Sequence, residues 1–275
     1  MNRGYCIVAQ SNVDTDYIRC AYALALSLIK HNPTAKVSLI TDDEVEKSYQ
    51  HVFDQIIPIP WGDMACSSSW KIENRWKVYH VSPYESTIVF DADMLIMTNI
   101  QHWWWELEKQ DLFFVSNVKN YRGDLITSRF YRKTFDANNL PNLYSGIYFF
   151  KKSDKCKEFF YLVEQITKNW EVFYEKYAPK SQQNWSSYDV SCAIASKILG
   201  NEKEITNPNS IVSFVHMKRH IQGWHTIPSS WLSILGKYIT NDRRLFLGNY
   251  AQDLPVHYVE KNFLTDELLT RLEDV

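Results

Sequence analysis

The sequence predicts a single α/β domain built on a mixed, mostly parallel sheet, and three observations predict it. Short apolar runs rich in β-formers alternate with helical patterns through the first third of the chain. The run Ile88-Val89-Phe90 leads straight into Asp91-Ala92-Asp93, as a strand does when it ends in a ligand-binding turn. No cluster of Pro, Gly and Ser is long enough to act as a linker, so nothing divides the chain into independent units.

The elements follow in order. Residues 4–10 read as a strand and 15–31 as a helix. Residues 37–41 and 52–59 repeat the short-strand signature, so the opening is βαβ-like with right-handed crossovers. Residues 70–80 carry apolar positions at helical spacing until Ser82-Pro83 stops them, and a strand over 86–90 ends at Asp91. A helix at 103–108 and a strand at 112–115 come next, then a polar, basic and aromatic stretch at 120–135 that reads as a loop or lid. Residues 144–150 form a buried strand, 154–177 and 188–199 are helical, and 211–217 is a further strand candidate. Residues 223–236 are irregular, and Thr265 opens an amphipathic terminal helix with Glu267 near its start.

Composition narrows the function classes. The 45% hydrophobic fraction is enough for a sizeable core. The formal charge of −2 excludes a global positive field toward nucleic acid or anionic membrane, so any polyanion site is local. Ten Trp and 17 Tyr supply planar faces that pack the core and also stack on sugar rings and bases. Cysteines 6, 20, 66, 156 and 192 are odd in number and show no C-x-x-C pair, so they read as reduced thiols. No apolar window reaches membrane-spanning length and no signal-like leader is visible, so a cytoplasmic location is expected. Nothing calls for an obligate protein partner. The absence of G-x-G-x-x-G argues against a dinucleotide-dependent oxidoreductase, and the absence of a Gly-rich, Arg-containing loop against a nucleotidyltransferase.

The sharpest chemical feature is the acid pair Asp91 and Asp93. Side chains in a strand alternate faces, so residues two apart point to one side, and two carboxylates there repel unless a cation joins them. Oxygen ligands suit Mg²⁺ or Mn²⁺, and such an ion beyond a strand's carboxyl end can hold a diphosphate.

This D-x-D after an apolar strand, about a third of the way along, resembles that of the GT-A glycosyltransferases. The closest group is family 8, the glycogenin and lipopolysaccharide-galactosyltransferase type. The resemblance implies a Rossmann-like GT-A domain, a UDP-sugar donor, a divalent cation and a retaining transfer. Val8-Ala9-Gln10-Ser11-Asn12 is similar to the family's first strand and uridine-contacting turn. By that likeness Ala9, Gln10 and Asn12 hold base or ribose, and Tyr17 either stacks on them or packs in the helix core. Arg75 stands where the family has a cation near the donor, with Lys71 and Lys77 as alternatives. Asn142-Leu143-Tyr144-Ser145-Gly146-Ile147 resembles the family's F-N-A-G-V, which would bring Ser145 and Gly146 to the donor sugar. Ser187-Tyr188-Asp189 sits where the family has D-Q-D. Asp189 fits the second acid, while Tyr188 replaces the family's catalytic Gln and leaves the anomeric outcome open.

A third metal ligand is implied from a C-terminal His. His257, in Pro255-Val256-His257-Tyr258, is favoured and His216 is the alternative, with Lys218 or Lys261 to neutralise phosphate. The resemblance divides the domain 1–275 into a nucleotide-binding half (1–100), an acceptor and sugar half (101–260) and a C-terminal helix (261–275). The runs 70–77 and 131–141 are also similar to glycosyltransferases encoded by tailed phages. The acceptor is then either a glycan or a hydroxymethylated pyrimidine in phage DNA, and the basic, aromatic stretch 121–133 fits contact with either.

Overall fold

The computed structural model describes residues 2–65 and 71–274. Cys66 and Trp70, the latter the predicted start of the helix at 70–80, lie outside the described residues. The chain opens with β1 (Arg3–Val8), α1 (Tyr17–His31), β2 (Val37–Ile40) and β3 (Gln55–Ile57). Next come α2 (Val78–Val81), β4 (Ser86–Asp91), β5 (Met94–Leu95), α3 (Trp103–Leu107), β6 (Leu112–Val115), α4 (Lys133–Ala137) and β7 (Tyr144–Lys151). Four helices follow: α5 (Asp154–Lys168), α6 (Trp170–Tyr177), α7 (Tyr188–Leu199) and α8 (Glu202–Ile205). The chain then passes through β8 (Val215–His216), α9 (Trp231–Leu235), β9 (Lys237–Ile239), β10 (Leu245–Leu247), β11 (Tyr250–Ala251), β12 (Val256–His257) and α10 (Asp266–Asp274).

The main sheet has the order β3-β2-β1-β4-β7-β6. Five strands run one way and β7 alone is reversed, antiparallel to both β4 and β6. The alternation of strand side chains sorts the core into two layers. Tyr5, Ile7, Ile88, Phe90, Ile147 and Phe149 face α1, while Cys6, Val89, Tyr148 and Phe150 face α5 and α7. α1 starts where Asp16 accepts a hydrogen bond from the Arg19 amide at 2.9 Å, and it buries Ile18 and Cys20 through Leu28. α7 ends at Gly200, whose φ of 67° supplies the left-handed residue that closes its last turn.

From β1 the sheet grows outward through β2 to β3, whereas β4 adds on β1's other side. The switch point therefore lies between β1 and β4, and Val8 and Asp91 are register partners at its carboxyl edge. A small sheet of order β5-β12-β8 sits directly beyond this edge. Its β5 begins one residue after Asp93, and it pairs His257 with Met94 and with His216.

Several elements differ from expectation. The predicted helix over 70–80 is a 3₁₀ turn (Arg75–Lys77) running into the four-residue α2. Asn74 and Lys77 turn their side chains into hydrogen bonds with Asp63 and the Gly62 carbonyl. The long pattern at 154–177 breaks into two helices at Asn169. The strand expected over 211–217 shrinks to β8. Of the 52–59 segment only Gln55–Ile57 forms a strand, β3, after a 3₁₀ turn at Gln50–Val52. The meander β9-β10-β11 was not anticipated. It turns on Arg243 and Gly248, both at positive φ. Cys6, Cys20, Cys156 and Cys192 are buried free thiols, and no helix among the described residues is long and apolar enough to cross a membrane.

Candidate active site

β4 ends at Asp91, and the bend at Ala92-Asp93 precedes β5. The two acids thus converge through a bend; the strand alternation invoked from sequence does not extend to Asp93. The Asp93 carbonyl accepts from the Tyr258 amide at 3.0 Å, which fastens the bend to the C-terminal segment. The four oxygens divide cleanly. On Asp91, Oδ1 takes Arg75 at 2.7 Å and Oδ2 lies 3.8 Å from His257 Nε2. On Asp93, Oδ2 takes Lys261 and Oδ1 lies 3.3 Å from the same His257 nitrogen. One atom from each of Asp91, Asp93 and His257 falls within 4.8 Å of the others, the spacing of a metal triad.

Electrostatics push the two acids apart. Burial raises Asp91, and the neighbouring Asp93 and Asp189 add to this against Arg75 and His257. Burial would also raise Asp93, but His257 and Lys261 outweigh it and hold the carboxyl well below its usual range. Two buried acids that cannot share one charge state cheaply are what a divalent ion reconciles, so this donor set fits Mg²⁺ or Mn²⁺. Space is also closed around the histidine. A Cβ on Gly146 would stand 3.1 Å from Met94 Cε and 3.4 Å from His257 Nδ1. That ring nitrogen is buried without a hydrogen-bond partner.

The triad opens into a cavity of about 250 Å³ that also takes in Tyr17, Arg75, Ser145, Gly146, Tyr188, Asp189, His216 and Lys218. Contacts set their order. The Lys261 ammonium lies 5.1 Å over the Tyr17 ring at one end, and the His257 ring lies tilted by 32° beside that of His216 at 4.9 Å between centroids. Burial, with His257 and Lys218 nearby, drives His216 well below its ordinary range. Asp189, half-buried at the start of α7, accepts from the Ser145 amide at 2.8 Å and from its hydroxyl, and pairs with Arg132 at 2.9 Å. Burial would raise Asp189, but Arg132 and Ser145 outweigh it and hold its carboxyl low. Tyr188 turns its hydroxyl toward that of Tyr148 at 3.4 Å, and burial pushes its phenol well up. Burial lowers Lys218, whose ammonium sits 4.5 Å over the Tyr131 ring.

The other predicted nucleotide contacts do not line this cavity. Ala9 is buried and donates its amide to the Ile40 carbonyl. Gln10 is buried and accepts from Asn74 at 2.7 Å, and the Asn12 side chain caps the local turn by accepting from the Asp14 amide. They occupy the β1–α1 turn beside the switch point. Of the alternatives to Arg75, Lys77 is buried on the Gly62 carbonyl and Lys71 donates to the Ala65 carbonyl. Sequence reasoning missed Arg132, which is 6% exposed, sandwiched between Phe135 and Tyr144 and bonded to Asn142, Leu143 and Asp189. Its only local signal was its place in the basic, aromatic stretch. Lys261 was named only as an alternative, although it holds Asp93.

No protein-family model matches the sequence, and no curated protein matches it. Among solved structures the chain is similar to the galactosyltransferase LgtC in complex with donor and acceptor sugar analogs. That match has a TM-score of 0.54 and 13% identity, and covers 98% of this chain and 95% of that one. It is also similar to mouse xyloside xylosyltransferase 1 in its apo form, with a TM-score of 0.55, 9% identity and coverage of 96% and 100%. With the switch-point crevice already in place at the end of β4, these likenesses assign the architecture: the chain has the GT-A glycosyltransferase fold, an α/β domain on a mixed, mostly parallel sheet.

Proposed function

We propose that this protein is a metal-dependent, family-8-like glycosyltransferase that moves a sugar from a nucleotide donor, a UDP-sugar by resemblance, to an acceptor hydroxyl. The observation that carries the reading is the division of carboxylate oxygens. One oxygen of each acid is held by Arg75 or Lys261, leaving the other beside His257 Nε2 at the rim of a cavity. A divalent cation held by Asp91, Asp93 and His257 supplies charge neutralisation for a departing nucleoside diphosphate.

The remaining work falls to the chain's own side chains. Arg75, Lys261 and Lys218 give the cavity fixed positive charge for phosphoryl oxygens, at positions set before any ligand arrives. Gly146 and Ser145 bring backbone close to the donor sugar, and Asp189, already aligned by Arg132 and Ser145, accepts from sugar hydroxyls. Tyr188 supports this floor from below, with its hydroxyl engaged by Tyr148. Transfer with retention follows the resemblance.

The test is release of nucleoside diphosphate from a panel of UDP- and GDP-sugars in Mn²⁺. Slow hydrolysis that Asp93→Asn reduces at least about 100-fold is expected, the scale on which a preorganised electrostatic group acts. If the unmutated protein binds nucleotide sugars but never turns them over, the chain is a binding module that kept the fold.

A further inference from the structure

We infer that the open cavity between α9, β9 and α10 is a second ligand site, shaped for an organic monoanion with an apolar body, of the medium-chain carboxylate class. The cavity measures about 520 Å³ and shares no lining residue with the one at the acids. Its ligand takes no part in the proposed transfer and binds whether or not that reading holds.

The floor comes from three elements. Leu232 of α9, Ile239 of β9 and Leu268 of α10 line it, each of them itself buried. Lys237 stands two residues before Ile239 on the same strand, so strand alternation puts both side chains on one face. An apolar floor with a polar group at its edge is the usual form of a small-molecule site.

The charges around the opening are Lys237, Arg271, Glu267 and Asp274, and they are not equivalent. Arg271 is engaged within the protein, donating to the Ile239 carbonyl at 3.3 Å and to the Asn241 side chain. Glu267 and Asp274 are exposed, where solvent screens them, and neither forms an ion pair with Lys237. Half-buried Lys237 makes no hydrogen bond or ion pair among the described residues; its ammonium rests 5.5 Å over the Phe263 ring. Burial lowers its pKa, and Glu267 offsets that only in part. A half-buried cation without an acceptor, beside an apolar floor, is complementary to one negative charge on an apolar body. A phosphate ester carries about two charges at pH 7 and would call for a second open cation, which engaged Arg271 does not supply.

The two cavities share a wall. His257, Val259 and Lys261 line the first, and Thr265, Glu267 and Leu268 line the second. Between them Phe263 stacks on Tyr258 at 5.0 Å. The Trp231 indole, next in sequence to Leu232, donates to Glu260 at 2.6 Å, so it is placed to report an occupant on the floor.

The experiment uses the full chain without donor or metal. A heteronuclear NMR titration compares hexanoate, octanoate and decanoate with octylammonium and inorganic phosphate. The Trp231 indole N–H is expected to shift with the carboxylates, and their affinity to rise about two- to fourfold per added methylene, as burial of apolar surface requires. Lys237→Gln should weaken octanoate at least about tenfold, the scale of a lost charge-assisted hydrogen bond, while Lys237→Arg stays within about threefold of the unmutated protein. Unchanged melting temperatures show that both variants fold. Carboxylates that leave Trp231 unmoved, octylammonium or phosphate binding as tightly as octanoate, or an affinity indifferent to Lys237→Gln overturns the inference.

Discussion

Asp189 shows how a single carboxylate ties chemistry to stability. Its folded-state value lies below the ordinary carboxylate range because Arg132 and Ser145 outweigh burial. A depressed acid contributes stability above its unfolded value, about 3.9, and that contribution disappears as pH falls through the folded value. Asp189→Asn is therefore expected to cost about 1–3 kcal/mol at pH 7, since Arg132 is left buried and unpaired. The gap from the unmutated protein should narrow steadily below about pH 4. Urea melts of both proteins from pH 7 to pH 3 check this; a gap that stays constant with pH would contradict it. Gly146 makes a different demand. In Gly146→Ala the added carbon crowds only the flexible Met94 methyl, stands in ordinary contact with His257, and takes up space in the cavity wall that Gly146 lines. The melting temperature without ligand should move by only a few degrees, because alanine in a strand offsets about 0.5–1 kcal/mol of the crowding. The stabilisation conferred by Mn²⁺ with UDP should fall, read by thermal shift with and without the metal.

Among the elements, α10 holds the site from behind. Arg19 on α1 pairs with Asp266 at 2.6 Å, Lys30 reaches the Leu272 and Glu273 carbonyls, and Tyr22 donates to Glu273 at 3.0 Å. Leu268, Leu269 and Leu272 are buried under these contacts. Leu272→Ala should destabilise by about 2–5 kcal/mol, measured by denaturant unfolding, with the spread set by how far α1 and α10 close the gap. Elements differ in how much of themselves they show in sequence. β4 was legible because three β-forming apolar residues end in an acid, and α1 and α7 because their apolar spacing runs for three turns or more. β5, β8 and β12 are two residues long, too short for any period to register, yet they carry His257 and His216 to the acids. The helix expected over 70–80 failed for a related reason. Ile72, Trp76 and Tyr79 have helical spacing, but Asn74 and Lys77 are drawn into the 62–63 turn, a tertiary demand that local pattern does not encode. The pairing of Arg132 with Asp189, 57 positions apart, was invisible on the same ground.

For the whole molecule, the site is a junction of distant segments, so ligands should stabilise the entire fold. Binding to the native state adds RT ln(1 + [L]/Kd), about 2.7 kcal/mol at a hundredfold excess over Kd. On the proposed reading, UDP and Mn²⁺ together are expected to raise the melting temperature by more than the sum of their separate effects, because a bound diphosphate would supply ligands to the ion and the ion would screen Asp91 from Asp93. Additive shifts in a thermal melt would show that the two bind apart. The likeness to solved glycosyltransferases extends over nearly all of the chain at 9–13% identity. Such low identity over so long a span follows from a fold specified by pattern and packing, which many sequences satisfy.

The small sheet that joins β5 to β12 carries one more implication, for synthesis in the cell. Asp91 and Asp93 leave the ribosome about 160 residues before His257 and Lys261, an interval of roughly 8–30 s at ordinary elongation rates of about 5–20 residues per second. During that interval the nascent chain carries two neighbouring acids with neither the histidine nor the lysine that compensates them. The triad is therefore assembled late in translation, and a product cut short between residues 151 and 257 would keep every strand of the main sheet while lacking the triad.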